Sequence, residues 1–264
     1  MTKVFKQSIK VIFSSILLIA VIVGFLFGNL GLAWFAKNEN VTANGLSASV
    51  KVSPNLIIAK TAEAIRQGDL SFAVNFNGVA RTNMIAVTHD ETVPDTFLKY
   101  VTNHYAVDNQ TGNAKDGQTL EFENVPAENN ELYFIDYTVY IASAFETLGV
   151  DSLNATVVMP ESVDTKQPYF NAASVDFYVE EVSLAGYRGT TSVAKAVNGL
   201  ADKSVNLFPD GGSVPLNTDG YIKVIMRCYF DGALQDESGN AYVNSYSVKA
   251  DGVVIGVEFV AEES

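Results

Sequence analysis

Cysteine is nearly absent from this 264-residue chain: Cys228 stands alone, so no disulfide can form within it. A chain without disulfides must be held by its core, which is feasible at this length. Cys228 lies in YIKVIMRCYF, where Ile222, Val224, Met226, Cys228 and Phe230 share one parity. Period-two alternation puts that set on one face of a strand, so the thiol is predicted to be a small buried apolar group. Histidine is almost as scarce, with His89 in AVTHDET and His104 in VTNHYA. A serine or cysteine nucleophile needs a histidine base held by an acid, so triad catalysis has little to draw on. H-E-x-x-H, a Walker A loop and G-x-G-x-x-G are all missing. His89 and His104 with Asp90 and Glu91 could supply mixed nitrogen and oxygen ligands, but lack a metal-site spacing. A turn histidine and a helix-surface histidine that never meet are the simpler reading, and no metal is assigned to them.

Positive charge is also short. The chain has 17 basic and 30 acidic residues, a formal charge of −13. Residues 1–33 hold no acid and only Lys3, Lys6 and Lys10, so the remainder carries −16, from 14 basic and 30 acidic residues. A body this acidic repels phosphate backbones, which argues against nucleic acid as a partner.

What the chain does have is a long apolar run near its start. After the basic MTKVFKQSIK come 17 uncharged residues, VIFSSILLIAVIVGFLF, and then GNLGLA. Gly31 and Ala33 satisfy the small-residue rule of a signal-peptide cut before Trp34. From Val11 to Ala36 there are 26 uncharged residues, and about 20 suffice to span a bilayer. Cleavage at Gly31-Leu32-Ala33 and retention through residues 11–33 as a membrane anchor both stand. In either case the lysines stay cytoplasmic and the acidic body faces outward, at the cell surface or beyond it. No cysteine near the run offers a lipidation site, and GVEFVAEES carries no sorting signal.

The body is predicted to be mostly β. Leu46, Ala48, Val50 and Val52 alternate with Ser47, Ser49, Lys51 and Ser53. SFAVNFNGV aligns Phe72, Val74 and Phe76; ELYFIDYTVYIAS aligns Tyr133, Ile135, Tyr137, Val139 and Ile141. SVDFYVEEV turns Val175, Phe177 and Val179 inward with Asp176 and Glu180 outward, and GVVIGVEFVA aligns Val253, Ile255, Val257 and Phe259. Such alternation belongs to antiparallel sheets with one wet face. Three short helices are expected: AKTAEAIRQG ending at Gly68, PDTFLKYVTNHYA with Phe97, Val101 and Tyr105 spaced by four, and TSVAKAVNGLADK. The whole reads as an all-β, antiparallel two-sheet sandwich of jelly-roll type with short helical insertions, preceded by an N-terminal hydrophobic helix. Its parts are a signal peptide or anchor (1–33), a polar segment and first strand (34–53) and the sandwich (54–264).

Acidic, glycine-rich loops raise the question of calcium. Asp108, Asn109, Gly112, Asn113 and Asp116 in DNQTGNAKDG, and Asp231, Asp236, Glu237 and Asn240 near the C-terminus, are oxygen-rich. Neither loop has the EF-hand spacing, and Gly, Asn and Asp gather in β turns for backbone reasons. They are candidates for weak extracellular Ca²⁺ binding only, and no cofactor is assigned. Paired carboxylates for sugar hydrolysis cannot be singled out from 30 acids.

GLA-WFAKNENVTANGLSASV, from Gly31 to Val50, joins an apolar segment with a small-residue cut to an aromatic pair, a polar stretch, Asn-Gly and an alternating strand. This stretch resembles the TasA/camelysin family, exported by Gram-positive bacteria through a SipW-type signal peptidase. IKVIMRCYFDGALQDESGNAYVNSYSVKADGVVIGVEF is similar to the closing strands of members of that group. The apolar run here is longer, and Trp34-Phe35 stands where a small residue and Phe are commoner. The resemblance implies a jelly-roll sandwich serving as a surface or biofilm-matrix fibre protein, in which a freed N-terminal segment completes the sheet of the next subunit. Leu46, Ala48, Val50 and Val52 suit such a donated strand, because alternate side chains fill pockets while the main chain supplies hydrogen bonds. Pairing of the same strand within its own domain is the alternative. The metallopeptidase label attached to the family has no motif here.

The expectation is therefore a non-enzymatic, exported structural protein that self-associates. Its rivals are a membrane-anchored adhesion module and a secreted hydrolase or metallopeptidase.

Overall fold

The computed structural model describes residues 46–68, 71–78, 83–89, 97–100, 122–125, 132–158, 172–183, 186–187, 192–197, 203–232, 248–249 and 253–263. The predicted N-terminal helix, the cleavage residues Gly31, Ala33 and Trp34, and the loop with Asp108, Asn109, Asn113 and Asp116 lie outside the described residues. Among the described residues no helix is long and apolar enough to cross a membrane. Residues 43–264 form one compact unit.

That unit is an all-β sandwich. The first sheet runs, in chain order, through β1 (Ser47–Val52), β3 (Ala73–Phe76), β9 (Leu148–Val158), β13 (Ser204–Asn206), β14 (Gly212–Val214) and β17 (Val254–Glu263). In space β9 lies between β17 and the pair β13 and β14, and β1 lies between β17 and the edge strand β3. The second sheet contains β2 (Leu56–Ala59), β8 (Phe134–Ser143), β10 (Ala173–Ser183), β11 (Gly186–Tyr187), β12 (Ser192–Val197) and β15 (Gly220–Phe230). Its order is β10, β15, β8, β2, with β11 and β12 on the outer edge of β10. Among the described residues there are two further small sheets: β5 (Val87–His89), β6 (Phe97–Tyr100) and β7 (Phe122–Asn124), and β4 (Asn83–Met84) with β16 (Val248–Lys249).

The core lies between the two large sheets, and the alternation in the sequence builds it. Ile135, Val139 and Ile141 of β8 and Ile222, Val224, Met226 and Cys228 of β15 face Val50, Ile255, Val257 and Phe259 across the sandwich. Phe177 meets Phe259 edge-on at 6.0 Å between ring centroids, tying the sheets together. A β-bulge at Asp151 shifts the register of β9 against β17, with Glu262 opposite Ser152 and Glu263 opposite Val150. That extra residue changes the parity, so Val150 and Leu153 both point into the core.

Four expectations need correction. Phe97–Tyr100 is a strand paired with β5 and β7, not part of a helix over 94–106. Ser192–Val197 is likewise a strand, paired residue for residue with β10 from Ser174 to Val179. Val193 and Val197 share a parity as well as a helical spacing, and β-branched residues prefer the pleated alternative once a partner edge exists. The remaining helix forms as expected: α1 (Ala62–Gln67) starts at Thr61, whose Oγ1 accepts from the Ala64 N–H at 3.2 Å, and stops at Gly68, with φ of +73°.

The third concerns the wet face. Asp176 points away from the sandwich interior as expected, yet it is fully buried. The outer side of the second sheet carries layers of its own. At one end Ile65 of α1 packs on Ile57, Ala142 and Tyr221. At the other, Val87 and Phe97 of the three-stranded sheet pack on Phe134 and Tyr229. The sandwich is also not wholly antiparallel, because β1 runs parallel to β17 from Ser47↔Val254 to Val52↔Phe259.

Candidate assembly strand and neighbouring sites

Strand β1 follows from its sequence. Leu46, Ala48, Val50 and Val52 are all at most 2 % exposed and belong to the main core. On the other face Ser49 donates to Asn75 Oδ1 at 2.8 Å, and the Ser47 hydroxyl accepts from the Gly78 N–H at 3.0 Å. Both long edges of the strand are paired: with β17 on one side and, from Ala48↔Phe76 to Lys51↔Ala73, with β3 on the other. The four residues singled out as an assembly strand thus occupy a slot within their own sheet.

Two polar contacts mark the ends of the slot. At the entrance the Tyr137 hydroxyl, reaching from β8 of the opposite sheet, donates to the Leu46 carbonyl at 2.5 Å. Its ring stacks at 5.0 Å on Phe76 of β3. Burial, with a smaller contribution from Cys228, pushes the Tyr137 pKa well above that of a free phenol, so the group stays a neutral donor. At the exit the Ser53 N–H donates to the Phe259 carbonyl at 2.9 Å, and Ser53 Oγ to Asn55 Oδ1 at 2.7 Å. The link Ser53-Pro54-Asn55 then carries the chain across to β2 of the other sheet.

The other sequence candidates separate. Cys228 is buried, as its parity predicts, and burial followed by the nearby acids Asp136 and Asp176 raises its thiol pKa far from the reactive range. His89 ends β5; its side chain, and Asp90, Glu91 and His104, lie outside the described residues. Asp231 is buried at the end of β15, where its N–H donates to the Ala172 carbonyl at 2.9 Å; Asp236, Glu237 and Asn240 lie outside the described residues. Among the described residues no group of three or more His, Cys, Asp or Glu side chains converges on a metal-sized space.

One cluster escaped the sequence reading. Arg227 of β15 faces Asp136 on β8 and Asp176 on β10 in register. Its guanidinium donates to both Asp136 carboxylate oxygens at 2.8 Å and lies 4.2 Å from the Phe134 ring, 5.1 Å from Tyr178 and 5.7 Å from Phe97. Beneath it the Tyr229 hydroxyl donates to Asp176 at 3.1 Å; burial first, then the Asp176 charge, raise that phenol's pKa strongly. Further along the same face, Lys223 pairs with Glu180 at 2.8 Å, and that hydrogen bond raises the lysine pKa. The only sequence signal for such a cluster is a basic residue at an outward parity in an apolar strand. Its partners come from three distant segments, β6, β8 and β10.

A shallow groove of about 420 Å³ opens beside α1, floored by Ile58, Ala64 and Val74 and rimmed by Lys60, Thr61 and Ser71. Its lining contains no carboxylate, histidine or cysteine.

No protein-family model matches the chain, and no curated protein sequence does.

Proposed function

We propose that this is an exported, non-enzymatic structural protein of the cell surface or biofilm matrix, whose copies join by exchanging the strand Leu46–Val52. The observation that carries the reading is the slot itself. A strand directly downstream of the apolar export segment and its polar junction supplies four core side chains and pairs along both edges. Its only onward connection is the three-residue link 53–55. A short link to an interior strand favours exchange between copies, because the same contacts re-form with a neighbour's strand. Head-to-tail exchange yields fibres when the rotation between neighbours does not close a ring. The acidic body keeps the subunits soluble until they join.

The resemblance of residues 31–50 to the TasA/camelysin family agrees with this reading, and it includes a cut before Trp34. The test is to sequence the N-terminus of the protein recovered from culture supernatant and from membranes, and to image the released form. Release at Trp34 with fibres in electron micrographs is the expected result. A monomer by light scattering at every protein and salt concentration would overturn the assembly reading.

A further inference from the structure

An asparagine followed by glycine is open to attack from its own main chain, because glycine has no Cβ to crowd the approach. The chain has three such pairs: Asn44-Gly45, Asn77-Gly78 and Asn198-Gly199. The first and third lie outside the described residues. Asn77 is exposed just past the end of β3, and Gly78 after it is half-buried. The antiparallel register of β1 and β3, continued past Ala48↔Phe76, sets Ser47 opposite Asn77. Ser47 is fully buried, and its hydroxyl accepts from the Gly78 N–H at 3.0 Å. Ser47 is fixed in turn from its other side, where its N–H donates to the Val253 carbonyl at 2.9 Å and it pairs with Val254. The nitrogen that could attack Asn77 is thus bonded to a residue that β17 holds in place.

We propose that Asn77 is a site of spontaneous deamidation, and that Ser47 restrains it for as long as β1 fills its slot. In this reaction the Gly78 nitrogen gives its proton to hydroxide, bonds to Asn77 Cγ and expels the side-chain nitrogen as ammonia. The product is a cyclic imide. Water then opens it at one of its two carbonyls, giving aspartate or isoaspartate, and is the only co-reactant. Ring closure takes the proton from the bond to Ser47 and turns the nitrogen toward Asn77. With Ser47 in place, the first step therefore bears the loss of a buried hydrogen bond. When β1 leaves the slot, Ser47 leaves with it and the restraint is gone. The product carries a new carboxylate and, as isoaspartate, a main chain longer by a methylene. Gly78 is then displaced from Ser47, so an opening of the slot is recorded in the chain. The restraint is the same for the chain's own Ser47 and for that of a second copy, so the inference does not rest on strand exchange.

The test is to age the full-length chain in neutral buffer and map its peptides by mass spectrometry. The map reads conversion at Asn77 separately from Asn44 and Asn198. Ser47→Ala is expected to quicken conversion at Asn77 about fivefold, the factor for one lost hydrogen bond. Ser49→Ala controls for mere loosening of β1: it removes the bond to Asn75 and leaves Gly78 bonded, so wild-type conversion is expected. An S47A rate equal to the wild type, or an S49A rate raised as far as that of S47A, overturns the proposal. Adding Gly78→Ala to S47A crowds the attack and is expected to slow conversion; an unchanged rate rejects the imide route. Should S47A not fold, the unaltered chain decides the matter against a free peptide of residues 73–81. Both hydrogen exchange of the Gly78 amide and conversion of Asn77 are expected to be slower in the folded chain, and equal rates overturn the restraint.

Discussion

Arg227 clasps Asp136 across neighbouring strands with two hydrogen bonds of 2.8 Å, under the rings of Phe134, Tyr178 and Phe97. The pair fastens the small sheet β5–β7 to the sandwich, because Phe97 belongs to that sheet and also packs edge-on against Tyr229 at 4.9 Å. Only a planar, forked cation can serve the carboxylate and the rings together.

Replacing Arg227 by alanine is expected to cost about 1–3 kcal/mol, most of it from the ring contacts, since the Asp136 carboxylate is partly in water. Lysine keeps the charge but loses the fork, and falls between. Thermal unfolding measures the loss, and amide exchange in Phe97–Tyr100 is expected to quicken in both variants.

Gly256→Ala should disrupt the centre of the first sheet. A methyl there would come 2.0 Å from the Val158 carbonyl oxygen, so β17 and β9 must part. The expected loss is about 3 kcal/mol. Gly212→Ala is the control: its methyl meets the side chain of Phe208 at 3.0 Å, and a ring can move aside. Denaturant midpoints of the two variants compare them directly.

Val50→Asp should prevent the sandwich from forming, because it sets an unpaired carboxylate in the main core, at a cost of more than about 3 kcal/mol. One position earlier the strand faces the other way. Ser49→Ala removes only the hydrogen bond to Asn75, at a cost of about 1 kcal/mol. Circular dichroism of the two purified variants tests the difference.

Stability should fall at alkaline pH. Tyr137 and Cys228 have folded pKa values above the ordinary 10.0 and 9.0, chiefly through burial, and Tyr229 behaves alike. Below about pH 8 these groups are nearly all neutral in both states, and their contribution is whole. Above it the unfolded chain loses protons that the folded chain keeps, so stability drops with rising pH, by about 1.4 kcal/mol per pH unit for each fully titrating group. Urea titrations at pH 8, 9.5 and 10.5 measure the slope, and Y137F is expected to flatten it above pH 10.

Much of the fold was legible in alternation alone. The inward sets of β8, β15, β10 and β17 are those the parity predicts, apart from Tyr133, which packs with Phe97 and Tyr229 on the outer side, and Cys228 is buried for the same reason. The helix Ala62–Gln67 was legible because Thr61 and Gly68 are local signals that need no distant partner. The segments around Phe97 and Val193 were misread because their spacing satisfies both periods, and the choice was made by strands far away in the chain. The buried side of Asp176 was illegible too. Its cover comes from other parts of the chain, and a single strand's pattern does not record what packs on its second face.

The sequence by itself determined the acidity of the body, the apolar segment before it, the long strands of the sandwich and which side chains each turns inward, because these depend on local composition and on a period of two. Only the tertiary structure decided that β1 lies parallel to β17, that Tyr137 reaches the Leu46 carbonyl, and that Arg227 lies between two carboxylates beneath three rings. Those are pairings between residues up to 207 positions apart, and register, unlike parity, is set by the partner.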